Sequence, residues 1–201
     1  MAATRVVLFD VMDTLVADPF FRGIESFFGC SRRELLGALN PGLWPRFERN
    51  EVDAAAFYAG MFRDGRPVDG DALQAWLRPR YAWLPGTREL VEALAAAEVP
   101  MGALSNYPVW MEWLDEELGL SRWLDLDHVS YRTGVRKPEP EAYLGACMRM
   151  GVQPAEALFV DDREENCAAA RAVGLAAHRF DGAEGLAAAL QAHGLLMGSA
   201  G

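Results

Sequence analysis

Cysteine and histidine are both scarce in this chain of 201 residues, which holds three of each. Cys30, Cys147 and Cys167 lie far apart, are odd in number and form no CxxC pair. That excludes a disulfide framework and a cysteine-based zinc site, and it fits a reducing compartment. His128, His178 and His193 show no ligand spacing. Long apolar runs are missing too, since nothing approaches the ~20 residues needed to cross a bilayer. The first apolar stretch breaks at Asp10, too early for a cleavable leader, so the expected location is cytoplasmic. Positive charge is in deficit, with 19 Lys and Arg against 29 Asp and Glu and a formal net charge of −10. Nucleic acid and anionic membrane are therefore not expected partners. An anionic substrate would need a local positive pocket. Internal repeats are absent as well, and the alanine-rich runs Ala93–Ala97 and Ala168–Ala172 are good helix formers rather than linkers.

At this length the chain forms one domain with an insertion, or two small ones. Thr4–Phe9 is the first strand: its apolar residues run without alternation into Asp10, as in a parallel strand buried on both faces. Val99–Leu104, Ala157–Val160 and Leu175–Phe180 are further strands, and a short one is expected at Asp127–Tyr131. Between them the spacing predicts helices over Thr87–Glu98, Val109–Leu118, Glu141–Met150, Arg163–Val173 and Ala183–His193, with Gly119 closing the second. Trp110, Trp113 and Leu114 form a packing stripe. Alternating strands and helices make an α/β protein with a parallel sheet.

Residues 17–84 differ in character. Apolar residues recur there at helical spacing, Asn40-Pro41-Gly42 breaks the pattern, Asp53 and then Asp69 or Asp71 open helices, and Pro79 stops the last. This predicts an all-helical insertion of about four helices, with 1–16 and 85–201 as the α/β core. Gly198–Gly201 is expected to be a disordered tail.

Four polar motifs follow apolar strands or occupy a loop, in the order Asp10, Ser105-Asn106, Lys137-Pro138 and Asp161-Asp162. Ligands of open α/β sheets bind at the carboxyl ends of strands, and the four motifs supply a carboxylate, a hydroxyl, an ammonium and a carboxylate pair, all at strand ends or in loops. Three of the four have a plainer reading. Asp10 and the Asp161-Asp162 pair suit helix N-caps, Lys137 sits in a basic loop with Arg132 and Arg136, which read as solvated, and Asn166 is either an orienting residue or an ordinary helix position. Yet two adjacent acids at a strand end repel unless a cation is near.

Together the four motifs resemble those of the haloacid dehalogenase-like hydrolase superfamily, mostly phosphatases, over Val6 to about Leu190. The resemblance implies a Rossmann-like parallel sheet with helices on both faces and a small all-helical cap at 17–84, between the first and second motifs. It implies that Asp10 attacks phosphorus and becomes an aspartyl-phosphate. It implies Mg²⁺ held by Asp10, the backbone carbonyl of Met12 and Asp162, with Asp161 acting directly or through water. Lys137 would orient the nucleophile and balance the transferring group, Ser105 and Asn106 would donate to phosphate oxygens, and Thr14 would bond within the motif loop and contact the nucleophile. The implied partner is a small anionic substrate, a phosphorylated metabolite.

The departure is at Met12. Family phosphatases usually carry there a second aspartate that protonates the leaving oxygen and activates water; methionine does neither. Asp13, one residue on, is a doubtful substitute, because a shift of one residue in a tight loop points a side chain elsewhere. Three readings stay open: a Mg²⁺-dependent phosphatase, a 2-haloacid dehalogenase whose halide leaving group needs no proton, and a non-catalytic binding member. Dehalogenases do without the metal and generally lack the acidic pair that Asp161-Asp162 preserves. Substrate choice is assigned to the insertion, where Asp18, Phe20, Phe21, Arg22 and Trp44 are candidates. Arg22 is the best of these for a substrate anion, Phe20 and Phe21 read as insertion core, and Trp44 reads as packing.

Overall fold

In the computed structural model, which describes residues 3–197, the chain runs β1 (Val6–Phe9), β2 (Val16–Ala17), α1 (Ile24–Phe28), α2 (Arg32–Ala38), α3 (Leu43–Glu48), α4 (Ala54–Gly60), α5 (Gly70–Leu77), β3 (Ala82–Trp83), α6 (Thr87–Ala96), β4 (Met101–Ala103), α7 (Met111–Leu118), α8 (Ser130–Thr133), α9 (Pro140–Arg149), β5 (Ala157–Asp161), α10 (Glu164–Ala172), β6 (Ala176–Arg179) and α11 (Ala183–Ala192). The tail expected at 198–201 lies outside the described residues.

β4, β1, β5 and β6 form a parallel sheet in that order. β1 is central, with Val7 opposite Met101 on one side and Leu158 on the other. Its side chains alternate between faces: Val7 and Phe9 join the core built with α6, α7 and α11, whereas Val6 and Leu8 join that of α9 and α10. None of the four is more than 1% exposed. This double burial is why the strand reads as an unbroken apolar run. β1 also has β4 on one side and β5 on the other, so the crevice at their carboxyl ends is a switch point where ligands bind.

The strand expected at Asp127–Tyr131 does not form. The carboxylate of Asp125 accepts the Asp127 N–H at 2.8 Å and turns the chain. Only Asp125 bridges the sheet edge, opposite Gly102. The next residues coil into α8, whose Ser130 N–H donates to the Ser105 carbonyl at 3.0 Å. Elsewhere the helices fall within a few residues of expectation. Gly119 takes a φ of 66° to end α7, and its N–H donates to Asp115 at 2.7 Å.

Segment 18–81 enters and leaves through a two-residue antiparallel ribbon, Val16 opposite Trp83 and Ala17 opposite Ala82. It holds five short helices rather than about four. Asp53 and Asp69 cap α4 and α5 by accepting from the Ala56 and Ala72 N–H groups, which settles the choice between Asp69 and Asp71. A capping box of Ser31 and Glu34, unread in the sequence, starts α2. The segment packs against the sheet side through Trp110, which is wholly buried. Phe20, Trp44, Phe47 and Phe57 surround that ring at centroid distances of 5.4 to 5.7 Å. Leu8→Ala, which opens a void at the centre of the sheet, is expected to cost about 2–5 kcal/mol; urea denaturation checks this as a lower midpoint at unchanged slope.

Candidate active site

Register brings the polar residues together. The Asp10 N–H donates to the Val160 carbonyl at 2.8 Å, extending the β1–β5 ladder by one residue and setting Asp10 beside Asp161. On the other side the Leu104 N–H donates to the Phe9 carbonyl at 2.8 Å, which places Ser105 next. Asp10 Oδ1 accepts from the Val11 N–H and from the Ser105 hydroxyl, each at 2.8 Å, and lies 2.9 Å from Lys137 Nζ. Among the described residues no donor reaches Asp10 Oδ2.

Lys137 is 2% exposed, and its ammonium also lies 2.6 Å from Asp161 Oδ2. Asn106 clasps the Lys137 backbone from both sides, with Oδ1 accepting its N–H and Nδ2 donating to its carbonyl, each at 2.8 Å. Asp161, wholly buried, accepts further bonds from Asn166 Nδ2 and the Arg163 N–H. Asn166 thus holds the Asp161 carboxylate through both of its oxygens. Burial opposes the Lys137 charge, but Asp10 and Asp161 outweigh it and raise its proton affinity. Burial pushes Asp10 up to about 7 against the pull of Lys137.

These groups meet at a cavity of about 160 Å³ lined by Asp10, Met12, Asp13, Asp18, Phe21, Glu48, Asn106, Arg136, Lys137, Asp162, Arg163 and Asn166. Five carboxylates face three cationic side chains there, an imbalance that leaves room for a cation. Asp10, Asp161 and Asp162 each offer a carboxylate oxygen, and these atoms lie within 4.8 Å of one another. A set of hard oxygen donors with excess negative charge fits Mg²⁺. Burial, then the charges of Asp161 and Asp13, raise Asp162 above the usual carboxylate value.

Several sequence expectations shift. Thr14 does not line the cavity; its hydroxyl accepts the Asp162 N–H at 3.1 Å and fixes that strand end. The Ser105 hydroxyl donates to Asp10 and the Asn106 side chain holds the Lys137 backbone, while Asn106 also lines the cavity. Arg22 lies outside this cavity, paired at 2.8 Å with Asp13, which has φ 58° and also accepts the Asp18 N–H. Arg136, expected to be solvated, instead lines the cavity and pairs with the buried Glu48 at 2.6 Å. Its partner lies 88 positions away, beyond the reach of any local pattern. Phe20 is core as expected, but Phe21 is 38% exposed and faces the cavity. Trp44 stacks on Phe20 at 4.6 Å and donates to Glu48 at 2.7 Å. One available signal went unread: Lys137 is the only lysine in the chain.

A model of the haloacid dehalogenase-like hydrolase family matches residues 4–174. Flavin mononucleotide hydrolase 1 of Arabidopsis thaliana, a chloroplast protein by its name, is 37% identical over 90% of this chain and 74% of its own. Ribulose-1,5-bisphosphate 5-phosphatase of Halopiger xanaduensis is 32% identical over 60% of this chain and 54% of its own. A haloacid dehalogenase family enzyme of Bacteroides thetaiotaomicron, solved with magnesium, superposes with a TM-score of 0.72 at 22% identity, over 89% of this chain and 94% of that one. It shares the fold.

Two outcomes follow from this geometry. Lys137→Ala strands two buried carboxylates and is expected to cost about 3–5 kcal/mol, with part recovered by adding Asp161→Asn; a double-mutant cycle in urea measures the coupling. Asp18, 4% exposed, is pushed up to about 6, chiefly by burial. Its folded value exceeds the unfolded one, so its charge destabilises the fold above pH 6 and that penalty fades as pH falls towards 4. Asp18→Asn is expected to gain on the order of 3 kcal/mol at pH 7.5 and almost nothing at pH 4, read from melting temperatures at both.

Proposed function

The chain belongs to the haloacid dehalogenase-like hydrolases, and from that premise we propose that it is a Mg²⁺-dependent phosphatase of a small phosphorylated metabolite. The observation that carries this reading is the ammonium of Lys137 between Asp10 and Asp161, with Asp162 beside them at the strand ends. Three donors on Asp10 Oδ1 leave Oδ2 as the attacking oxygen. Its attack on phosphorus forms an aspartyl-phosphate, which water then cleaves. Lys137 fixes the direction of attack and offsets charge on the transferring group. Asp10, the Met12 carbonyl and Asp162 would hold Mg²⁺, which supplies the positive charge that lets an anionic nucleophile meet an anionic phosphate. Asp161 is proposed as the lysine's anchor, since its oxygens are occupied by Lys137, Asn166 and the Arg163 N–H.

We assign residues 17–84 the role of a cap that sets substrate choice. Phe21 borders both the polar cavity and an apolar pocket lined by Phe20, Trp44 and Phe57, which suits a phosphate ester with an apolar or aromatic body. The Arabidopsis relative, named for hydrolysis of flavin mononucleotide, makes that ester the first substrate to try. The free cysteines Cys30, Cys147 and Cys167 support a reducing compartment such as the cytoplasm. Among the described residues no helix is long and apolar enough to cross a membrane. Met12 favours a second reading, the 2-haloacid dehalogenase. Against it stand the retained acidic cluster and relatives named as phosphatases.

The test is phosphate release from flavin mononucleotide, an aryl phosphate and a panel of sugar phosphates, with Mg²⁺ or with a chelator. Turnover is expected only with Mg²⁺ and is expected to vanish in Asp10→Asn. Halide release from 2-haloacids in place of phosphate release would transfer the assignment to the second reading.

A further inference from the structure

A phosphatase of this design needs a proton donor for the leaving oxygen, and Met12 supplies none. Among the carboxylates of the cavity, Asp10 is the proposed nucleophile and Asp162 a proposed metal ligand. Glu48 is tied to Arg136 and to Trp44 Nε1. Asp13 is ion-paired with Arg22 at 2.8 Å through Oδ1, which also accepts the Asp18 N–H, so its carboxyl faces a cation. Asp18 differs from all of these. It follows β2 at the entrance to the helical segment and lines the same cavity as Asp10 and Lys137. Its Oδ1 accepts the Phe20 N–H at 2.8 Å and the Phe21 N–H at 3.4 Å. Among the described residues nothing bonds to its Oδ2, and no Lys, Arg or His nitrogen lies within ion-pair distance. The backbone therefore fixes the side chain by one oxygen and leaves the other for chemistry.

We propose that Asp18 is the general acid and base of this site, in place of the carboxyl that Met12 lacks. The inference rests on the phosphatase reading. In the first step Asp10 Oδ2 forms a bond to phosphorus, the phosphorus–oxygen ester bond breaks, and its electron pair stays on the leaving oxygen. That oxygen takes the proton from the Asp18 carboxyl and departs as an alcohol. In the second step the Asp18 carboxylate takes a proton from water, whose oxygen bonds to phosphorus. The phosphorus–Asp10 bond then breaks, which restores the Asp10 carboxylate and releases inorganic phosphate. Asp18 ends protonated, as it began.

An acid must hold its proton near working pH, and burial favours the neutral form of Asp18, with a value of about 6. The ionisable groups whose charge it feels, or which feel its own, are Asp13, Arg22, and the Tyr81 and Tyr107 hydroxyls, which bond to each other at 3.0 Å. Sequence offered no pointer to the role, because Asp18 lies eight positions after Asp10, outside the usual motif spacing.

The experiment compares wild type with Asp18→Asn, in the presence of Mg²⁺, on p-nitrophenyl phosphate and on an alkyl phosphate. A p-nitrophenolate leaves without a proton, whereas an alkoxide does not. The variant is expected to lose about 10²–10⁴-fold in alkyl-ester turnover. It is also expected to keep a burst of p-nitrophenolate, about one per enzyme, followed by slow turnover because water is no longer activated. The alkyl-ester rate of wild type is expected to fall on the alkaline side as Asp18 loses its proton, and that limb is expected to disappear in the variant. Asp18→Ser, which also keeps an oxygen for the Phe20 N–H, repeats the measurement with a second side chain that cannot act as the acid. Equal losses on both esters without a burst, or unchanged turnover, would overturn the role of Asp18 while leaving the phosphatase reading intact. Absence of phosphate release from wild type on either ester would overturn both.

Discussion

The ammonium of Lys137 lies between two carboxylates that the sheet forces together. Asp10 and Asp161 stand at the ends of neighbouring strands because Val6–Phe9 and Ala157–Val160 pair in a fixed register. A slip of one residue would turn every apolar side chain of a strand to the wrong face, so burial fixes the register and the register fixes the two acids. Their repulsion at a buried strand end requires a cation of small volume. Lysine offers a compact charge on a slender stem, whereas the broad fork of arginine does not fit two single oxygens on adjacent strands. That the chain uses arginine at its other 18 basic positions and lysine here alone makes the constraint specific.

Satisfying that constraint organises the surrounding loops. Asn106 grips the lysine backbone, Asn166 and the Arg163 N–H occupy the remaining acceptors of Asp161, and Ser105 completes Asp10. A buried ion pair contributes little net stability unless its spare lone pairs are also bonded, and here each partner's bonds come from a different loop. The result is a carboxylate with one oxygen immobilised and the other without a donor. Stability and reactivity therefore depend on the same few contacts.

What could be read from the sequence follows the range of the interaction. Asp10, Ser105, Lys137 and Asp161-Asp162 were legible because each is announced by a local pattern, an apolar strand or a loop before proline. The strands were legible because double burial removes alternation. The pairing of Arg136 with Glu48 was not, since it joins the helical segment to the loop before α9. Arg22 looked free until Asp13, in a left-handed backbone conformation, turned to meet it. Asp18 was legible only as one of several substrate-choice candidates in the insertion; its burial comes from packing that no spacing rule encodes. The missing strand near Asp127 reflects a turn made by one side chain, Asp125, against a weak propensity.

The two-residue ribbon of β2 and β3 brings the ends of the helical segment to neighbouring positions, a strand spacing of roughly 4.8 Å apart. For a loop whose ends are already joined, each doubling of length adds only about 0.6 kcal/mol of closure entropy. The sheet is thus nearly indifferent to how much chain hangs from that ribbon. Descendants of this sequence can lengthen, shorten or exchange the segment without disturbing the strands, provided that something apolar still covers Trp110.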